Sequence, residues 1–206
     1  SLVLYLPLWK RDGSVIMSDD AYGRLGTVTG ATWTPHGRRF DGADDFIVTA
    51  NNITPTTAVT VEVWIKLVSL AAAYKRFCET RYDTGFLLGT STNVDMTTGP
   101  VGRPFAFIII NTFLEPIQAG LNLANWHHVV GTWNSPDMSI YVDSILTGTG
   151  TKAGTLTAGV MGIAKDLVGA SGFTDGTIGE ARIYNRALSA GEVQHNYLVT
   201  KWRFRG

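Results

Sequence analysis

Val59-Thr-Val-Glu-Val-Trp-Ile-Lys66 is the stretch that decides the fold, because apolar and polar residues alternate along its whole length. A period of two is typical of a β-strand that buries one face and exposes the other. The three valines and Ile65 share the apolar face, so Trp64 is an aromatic ring on the polar face. We therefore expect a half-buried strand whose outer residues are Thr60, Glu62, Trp64 and Lys66.

Further strand-like segments lie on both sides of this stretch at intervals of roughly 8–12 residues, with Gly, Pro, Asn and Asp between them. They are 2–9, 37–42, 46–49, 76–82, 86–89, 105–110, 126–133, 139–142, 160–164 and 177–184. One helix stands out, where Ser189 and Glu192 have the spacing of a capping box. This pattern predicts an all-β sandwich or barrel with one short helix near the C-terminus.

Length and charge exclude several classes of protein. The 206 residues fit a single domain, 1–206. Seventeen basic and seventeen acidic residues give no net charge, so there is no basic excess to bind nucleic acid. The longest apolar run, 105–110, is far shorter than the ~20 residues that cross a bilayer, so we expect no membrane insertion. The single cysteine, Cys78, excludes an internal disulfide but leaves the compartment open.

Four segments, in order, carry motifs of a known superfamily. They read RFDGADDFI at 39–47, VTVEVWI at 59–65, WHHVVGTWN at 126–134 followed by SIYVD at 139–143, and FTDGTIGEARIYNRALS at 173–189. Together they resemble the laminin-G-like, concanavalin A-like lectin/glucanase superfamily. The resemblance implies a two-sheet antiparallel jelly-roll β-sandwich with one concave sheet.

Two positions depart from the family pattern. Ser144 stands where the family has a glycine in a hairpin turn, and because serine tolerates a positive φ poorly we expect a different turn type. Gly179 stands where the family usually has an aspartate. The missing carboxylate weakens any metal site that is carried over from the family.

The acidic residues do not follow the pattern of a glycoside hydrolase, although the resembled superfamily includes glucanases. A retaining enzyme needs two carboxyl groups about 5–5.5 Å apart, which one strand provides as Glu-x-Asp-x-(x)-Glu. In this chain Glu62 stands alone, and a bend separates Glu79 from Asp83. His127 and His128 are adjacent on a strand and face opposite sides, so they cannot jointly bind one metal. We predict that the chain is not an enzyme.

A candidate calcium site lies at an acidic turn that contains Asp41, Asp44 and Asp45. Calcium takes oxygen ligands from loops, and members of the resembled superfamily often bind it. Asp175 and Glu180 would add ligands if the last strand lies beside this turn. Calcium is thus the candidate cofactor. The alternative is a solvated turn in which Asp41 caps loop amides.

Glycan binding is the role that the resemblance implies most often, and it uses exposed aromatic rings beside hydrogen-bonding side chains. The candidates in loops or at loop edges are Tyr82, Asp83, Phe86, Asn93, Asp95, Asn111 and Phe113. For any single aromatic candidate we favour the core, because six Trp, seven Tyr and nine Phe must mostly pack inside the sandwich, whereas for the chain as a whole we favour a binding role.

The C-terminal segment 200–205 alternates aromatic and basic residues, which on a strand would place Trp202 and Phe204 on one face. We favour a closing edge strand whose charged face blocks edge-to-edge pairing. The alternative is a tail that docks on a neighbouring subunit, with Tyr5, Trp9, Trp202 and Phe204 as the contact residues. Copies of a chain without net charge do not repel one another electrostatically, so a homo-oligomer or larger assembly is compatible with the sequence.

These observations favour a non-catalytic recognition module that binds a glycan or a protein partner through loops or the concave sheet. The alternative is a structural or assembly protein, such as a decoration or adhesion subunit of a virion, a fibre or a cell-surface layer. Both hypotheses favour an extracellular, virion or cell-surface location, which the sequence itself leaves open.

Overall fold

The structure is a computed structural model that describes residues 1–11, 13–53, 56–68, 74–81, 83–91, 104–116, 118, 121–169 and 171–205. Within these ranges the chain forms sixteen β-strands, one α-helix and one 3₁₀ helix. The strands are β1 (Leu2–Leu6), β2 (Val15–Met17), β3 (Leu25–Thr29), β4 (Thr32–Thr34), β5 (Gly37–Asp41), β6 (Phe46–Thr49), β7 (Ala58–Leu67), β8 (Arg76–Glu79), β9 (Phe86–Thr90), β10 (Phe105–Ile109), β11 (Thr112–Leu114), β12 (His127–Asn134), β13 (Asp137–Val142), β14 (Ile145–Thr151), β15 (Gly162–Ile163) and β16 (Asp175–Tyr184). Helix α1 spans Ala190–Thr200, and the 3₁₀ helix spans Lys201–Phe204. None of the helices in these ranges is long and apolar enough to span a bilayer.

The strands pair into two antiparallel sheets, which confirms the predicted β-sandwich. Sheet 1 has the order β14-β13-β12-β7-β16-β5-β4, and β1 also pairs with β16. Sheet 2 has the order β11-β10-β9-β8-β15-β6-β3-β2. On one side of β16, β5 pairs with the first half and β1 with the second half, while β7 pairs on the other side. Strand β16 therefore has neighbouring strands on both sides along most of its length.

The core lies between the sheets, and β7 supplies its centre. The valines of β7 and Ile65 are buried in the main apolar cluster, as the alternation predicts. The sheets approach closely at Gly131 on β12, where an added Cβ would lie 2.3 Å from the ring of Phe107 on β10. A larger residue at this position would force the sheets apart.

The outer face of β7 is covered as well, so the expectation of a half-buried strand is wrong. Helix α1 and the 3₁₀ helix lie over this face, and Glu62 and Trp64 are buried beneath them. The Trp64 ring stacks on Tyr197 and Phe204, with centroid distances of 5.7 and 4.6 Å. Its indole N–H donates to Thr200 Oγ1 at 2.9 Å. The strand period cannot reveal this cover, because a helix far along the chain provides it.

Helix α1 begins with the predicted capping box. The Glu192 amide donates to Ser189 Oγ at 3.3 Å, and the Ser189 amide donates to Glu192 Oε2 at 2.9 Å. Arg186 also donates to both oxygens of Glu192, at 2.9 and 2.5 Å. The hydrogen bonds from Arg186 and then from Ser189 lower the pKa of Glu192 to about 2. The start of the helix is therefore fixed by groups that lie next to it in sequence.

The turn between β13 and β14 differs from the expected type. Asp143 and Ser144 have φ values of 52° and 70°, and Val142 pairs with Ile145 across a two-residue turn. The expectation that Ser144 would avoid a positive φ is wrong. The Asp143 side chain holds the turn, since it accepts from the His128 amide at 2.9 Å and lies 2.8 Å from His127 Nδ1.

The C-terminal segment is a 3₁₀ helix, so the predicted edge strand is wrong. Phe204 is buried against Trp64, whereas Trp202 is 63% exposed, so the two residues do not share a face. Gly179 makes this packing possible, because a Cβ at that position would lie 2.1 Å from Phe204 Cε1. The departure from the family pattern at Gly179 therefore has a steric reason.

Candidate functional site

Two hairpin tips meet at one end of sheet 2 and bring several predicted glycan-binding residues together. The Ile110 amide in the β10–β11 turn donates to the Gly85 carbonyl in the β8–β9 turn at 3.0 Å. Asp83 lies in the β8–β9 turn, Asn111 is exposed in the β10–β11 turn, and Phe113 follows on β11 with 47% of its surface exposed. We call Asp83, Asn111 and Phe113 the hairpin-tip surface.

The turn conformations and an ion pair determine which chemical groups the hairpin-tip surface presents to solvent. Ile110 and Asn111 have φ values of 46° and 61°, which makes a tight two-residue turn between β10 and β11. Arg81 donates to both oxygens of Asp83, at 3.0 and 2.7 Å, and this bidentate pair lowers the pKa of Asp83. The surface therefore offers a charged carboxylate, an amide and an aromatic ring.

The other predicted glycan-binding residues do not join this surface. Phe86 is fully buried and belongs to the core between the sheets, so its assignment to a binding loop is wrong. The apolar core competes for every aromatic ring, and Phe86 and Leu88 lie on the face of β9 that packs in the core between the sheets, whereas Leu87 lies on the other face. Tyr82, Asn93 and Asp95 lie outside the described residues.

The sequence did not point to a buried ionic group that lies near Phe113 on the outer side of sheet 2. The Tyr74 ring lies 6.2 Å from the Phe113 ring, and the Arg76 guanidinium lies 5.9 Å from the Tyr74 ring. Arg76 forms ion pairs with Glu79 at 3.5 Å and with Asp166 at 3.4 Å. Only the Arg76/Glu79 spacing is visible in the sequence, because Asp166 comes from a distant loop.

Burial controls the charge of Glu79. Its side chain has no exposed surface, and desolvation raises its pKa to about 7. Glu79 Oε1 accepts from the Leu167 amide at 2.6 Å, and this hydrogen bond and the Arg76 charge only partly offset the burial. The carboxyl group is therefore partly protonated near neutral pH and is closed off from solvent.

Three of the five predicted calcium ligands come together at the acidic turn. Oxygens of Asp41, Asp44 and Asp45 all lie within 4.8 Å of one another. Asp41 Oδ1 accepts from the Ala43 and Asp44 amides, and Asp45 Oδ2 accepts from the Asp41 amide at 3.0 Å. Burial and the charges of Asp41 and Asp44 raise the pKa of Asp45. The remaining carboxylate oxygens suit a hard cation such as calcium.

The other two predicted ligands have different partners. Asp175 is the β16 partner of Asp41 in the sheet, but its Oδ1 accepts from Arg39 at 2.6 Å. Glu180 lies further along β16, where Tyr5 donates to it at 3.1 Å and Arg182 lies 2.9 Å away. The structure therefore places Asp175 beside the acidic turn and Glu180 in a different cluster.

That second cluster is buried on the outer face of sheet 1 beneath α1. Glu62 Oε1 lies 3.1 Å from His128 Nε2 and 3.2 Å from Arg182, and Asn196 of α1 donates to Oε2 at 2.8 Å. Burial alone would raise the pKa of Glu62, but His128, Arg182 and Asn196 together hold it below its usual value. Tyr5 belongs to this cluster through Glu180, so its phenol oxygen is engaged inside the fold.

The predicted assembly residues separate into two environments. Trp9 and Trp202 lie on either side of Arg203, whose guanidinium is 3.7 Å from the Trp9 ring centroid and 4.8 Å from that of Trp202. The Trp33 indole N–H donates to the Trp9 carbonyl at 3.0 Å, and Trp33 is 38% exposed. We call Trp9, Trp33, Trp202 and Arg203 the tryptophan patch. Phe204 is buried and Tyr5 is engaged elsewhere, so neither belongs to it.

The raised pKa of Glu79 predicts a defined pH dependence of stability. Between its ordinary value of 4.5 and about 7, the folded chain keeps a proton that the unfolded chain releases. The stabilisation that the retained proton of Glu79 adds to the free energy of unfolding is therefore fully present below pH 4.5 and is lost as the pH rises to about 7. We expect Glu79→Gln to remove about 1–3 kcal/mol of this pH-dependent loss, measured by urea unfolding across that range.

Glu192→Gln is the contrasting variant, because the lowered pKa of Glu192 affects stability only in acid. Between pH 5 and 8, the unfolding free energy of Glu192→Gln should change with pH in the same way as that of the wild type. Parallel curves for Glu79→Gln and the wild type would contradict the assigned protonation.

Comparison with known proteins gives a family and a set of similar folds. The Laminin_G_3 family model, described as concanavalin A-like lectin/glucanases superfamily, matches residues 40–194. No curated protein sequence matches the chain. A Trypanosoma rangeli sialidase, solved with 2,3-difluorosialic acid, has a TM-score of 0.72 and 18% identity over 100% of this chain and 34% of the sialidase.

Two further structures have similar folds. The binding domain of botulinum neurotoxin DC, solved with SialylT, has a TM-score of 0.69 and 14% identity over 97% of this chain and 51% of its own length. Domain 4 of AbnA, a GH43 extracellular arabinanase from Geobacillus stearothermophilus solved with arabinotriose, has a TM-score of 0.68 and 16% identity over 94% of this chain and 97% of its own.

The chain spans about a third of the sialidase and about half of the neurotoxin domain. At these identities the likeness establishes a shared fold. The family model covers most of the chain, including β7, β12 and β16 of sheet 1. The chain therefore belongs to the Laminin_G_3 family of the concanavalin A-like lectin/glucanase superfamily.

Proposed function

We propose that this chain is a carbohydrate-recognition module that binds a glycan at the hairpin-tip surface without transforming it. The observation that carries this proposal is the exposed ring of Phe113 on β11, which follows the turn with exposed Asn111, and this turn is hydrogen-bonded to the turn that contains Asp83. Sugars stack their apolar faces on aromatic rings and hydrogen-bond to carboxylates and amides at their edges. The similar neurotoxin and arabinanase domains were solved with SialylT and arabinotriose, which supports this class of ligand.

The positions of the buried carboxylates support a role without catalysis. A retaining glycosidase needs two carboxyl groups on either side of a bond in a groove that the substrate can enter. Glu62 and Glu180 are covered by α1 and the N-terminal strand, and they are held by Arg182. Glu79 has no exposed surface, and Asp166 is bound to Arg76. In the described part of the chain these groups serve the fold.

Phe113→Ala is the direct test of the hairpin-tip surface. We expect the wild-type chain to bind at least one oligosaccharide on a glycan array, and the variant to bind it about tenfold more weakly in a calorimetric titration. Loss of one stacked ring is worth ~1–1.5 kcal/mol, which corresponds to this factor. Phe113 is half exposed, so the variant should fold normally.

Tyr22→Ala is the matched control, because Tyr22 is 57% exposed on a different surface. Its affinity for the oligosaccharide should equal that of the wild type. Unchanged binding by Phe113→Ala would remove the hairpin-tip surface as the site, and an array without any bound glycan would contradict the recognition function.

Calcium binding at the acidic turn is part of the proposal, with Asp41, Asp44 and Asp45 as ligands and water completing the shell. Three carboxylates within 4.8 Å repel one another, and a divalent cation would relieve this repulsion. We expect calcium chloride to raise the melting temperature by mass action and Asp44→Asn to abolish the rise. Asp19→Asn, a distant exposed change, should keep it. A melting temperature that calcium leaves unchanged would exclude the site.

A second candidate function is self-association through the tryptophan patch, which is the surface that an assembly protein would use. Trp202 and Trp33 are exposed, and hydrogen bonds to backbone carbonyls fix both rings. Exposed clusters of large apolar rings are typical of protein contacts.

Light scattering after size exclusion tests this second function. Wild-type chain should form a dimer or larger closed species, and Trp202→Ala should shift it to the monomer. Leu146→Ala, which removes an exposed side chain from β14, should leave the species unchanged. A wild-type monomer at every concentration would contradict self-association.

A further inference from the structure

A cavity lies beneath the C-terminal end of the chain, apart from the hairpin-tip surface. It encloses about 190 Å³ between α1, the 3₁₀ helix and the β13–β14 turn. This volume is below the ~300–1,000 Å³ of pockets that hold drug-sized ligands, so it suits one small ring.

The walls of the cavity are aromatic. Trp126 and Phe204 form one wall with their ring centroids 4.9 Å apart, and Tyr197 forms another. Tyr197 and Phe204 both stack on the buried Trp64 ring, which fixes their positions. Partly exposed Trp126 and Tyr197 therefore present rigid ring surfaces to a ligand at little entropic cost.

The charged groups of the cavity leave an excess of positive charge. Lys201 and Arg205 line it, and neither forms an ion pair with any other described residue, while the Lys201 ammonium lies 5.2 Å from the Tyr197 ring centroid. Asp143 is the one carboxylate in the lining, and both of its oxygens are already engaged, by His127 Nδ1 and the His128 amide. An anionic ligand would find two cations there without a competing carboxylate.

The Tyr197 hydroxyl adds a polar group at the same place. It makes no hydrogen bond with the rest of the described chain. Burial raises its pKa and the Asp143 charge adds to the effect, while Arg205 opposes it. The hydroxyl therefore stays protonated and can donate to a ligand oxygen.

We propose that this cavity binds a sugar residue that carries a carboxylate, such as a uronic or sialic acid unit. The sugar ring would pack on Trp126 and Tyr197, and its carboxylate would lie between Lys201 and Arg205. The class of ligand rests on the proposed carbohydrate recognition, but the residues are separate from those of the hairpin-tip surface. An acidic sugar matches both the aromatic walls and the two cations that form no ion pair with a described carboxylate, which a neutral sugar does not.

The test uses the intact chain and four small ligands in titrations followed by protein NMR. The ligands are the methyl glycosides of glucuronic acid and N-acetylneuraminic acid, each with its neutral methyl ester. We expect at least one acid to bind about tenfold more tightly than its ester, because a charge-assisted hydrogen bond contributes about this factor. Equal affinities of the acid and its ester for both pairs would overturn the proposal.

Variants within the 3₁₀ segment locate the site. Arg205→Gln and Lys201→Gln should each weaken binding of the acid about fivefold to tenfold, because each removes one cation. Arg203→Gln is the matched control, since the Arg203 guanidinium stacks on Trp9 and Trp202 outside the cavity. Full affinity in Arg205→Gln and Lys201→Gln, or equal weakening in Arg203→Gln, would overturn the cavity as the site.

Phe113→Ala separates this proposal from the proposed function. Acid binding that persists in Phe113→Ala and weakens about fivefold to tenfold in Arg205→Gln supports the cavity whatever happens at the hairpin tips. Binding of a neutral oligosaccharide that needs Phe113, together with no binding of either acid, overturns the cavity and leaves the proposed function standing.

Discussion

The buried charge of Glu62 is the constraint on which the arrangement of the molecule depends. A carboxylate removed from water is costly unless charged and hydrogen-bonding partners surround it. Glu62 is on β7, and its partners are Arg182 from β16, His128 from β12 and Asn196 from α1. The contacts that stabilise this buried charge therefore connect β7 to three other elements. Helix α1 is thereby fixed on the outer face of sheet 1, and it brings Tyr197 to the wall of the cavity that Lys201 and Arg205 also line. The proposed hairpin-tip surface lies on the other sheet, sheet 2.

The architecture could be predicted because most of its determinants are local. Alternation in 59–66 identifies β7, and the capping box identifies the start of α1 with two residues. The order of four motifs then indicates the superfamily. The outer cover of β7, the 3₁₀ helix and the Asp143–Ser144 turn were predicted wrongly. Each of these depends on a contact with a distant residue, such as Phe204 packing at Gly179, which no local pattern shows.

The candidate sites divide in the same way. Asp41, Asp44 and Asp45 were predicted as a group because they are close in sequence. Phe86 was misplaced because an aromatic residue near a turn can face either side of a strand, and here it faces the core. The cavity at Trp126, Tyr197 and Arg205 escaped the sequence, since its walls come from a strand end and two helices. Its one local signal was the alternation of aromatic and basic residues in the C-terminal segment.

Chemical-shift mapping of the isotope-labelled chain during titration with a neutral oligosaccharide selected on a glycan array tests carbohydrate recognition at the hairpin tips most directly. The account predicts that the perturbed backbone amides cluster at residues 83–85 and 110–113, with the amides of β12 and β16 unperturbed. Perturbation confined to the amides of sheet 1, or a spectrum that no array-selected glycan changes, would contradict this prediction.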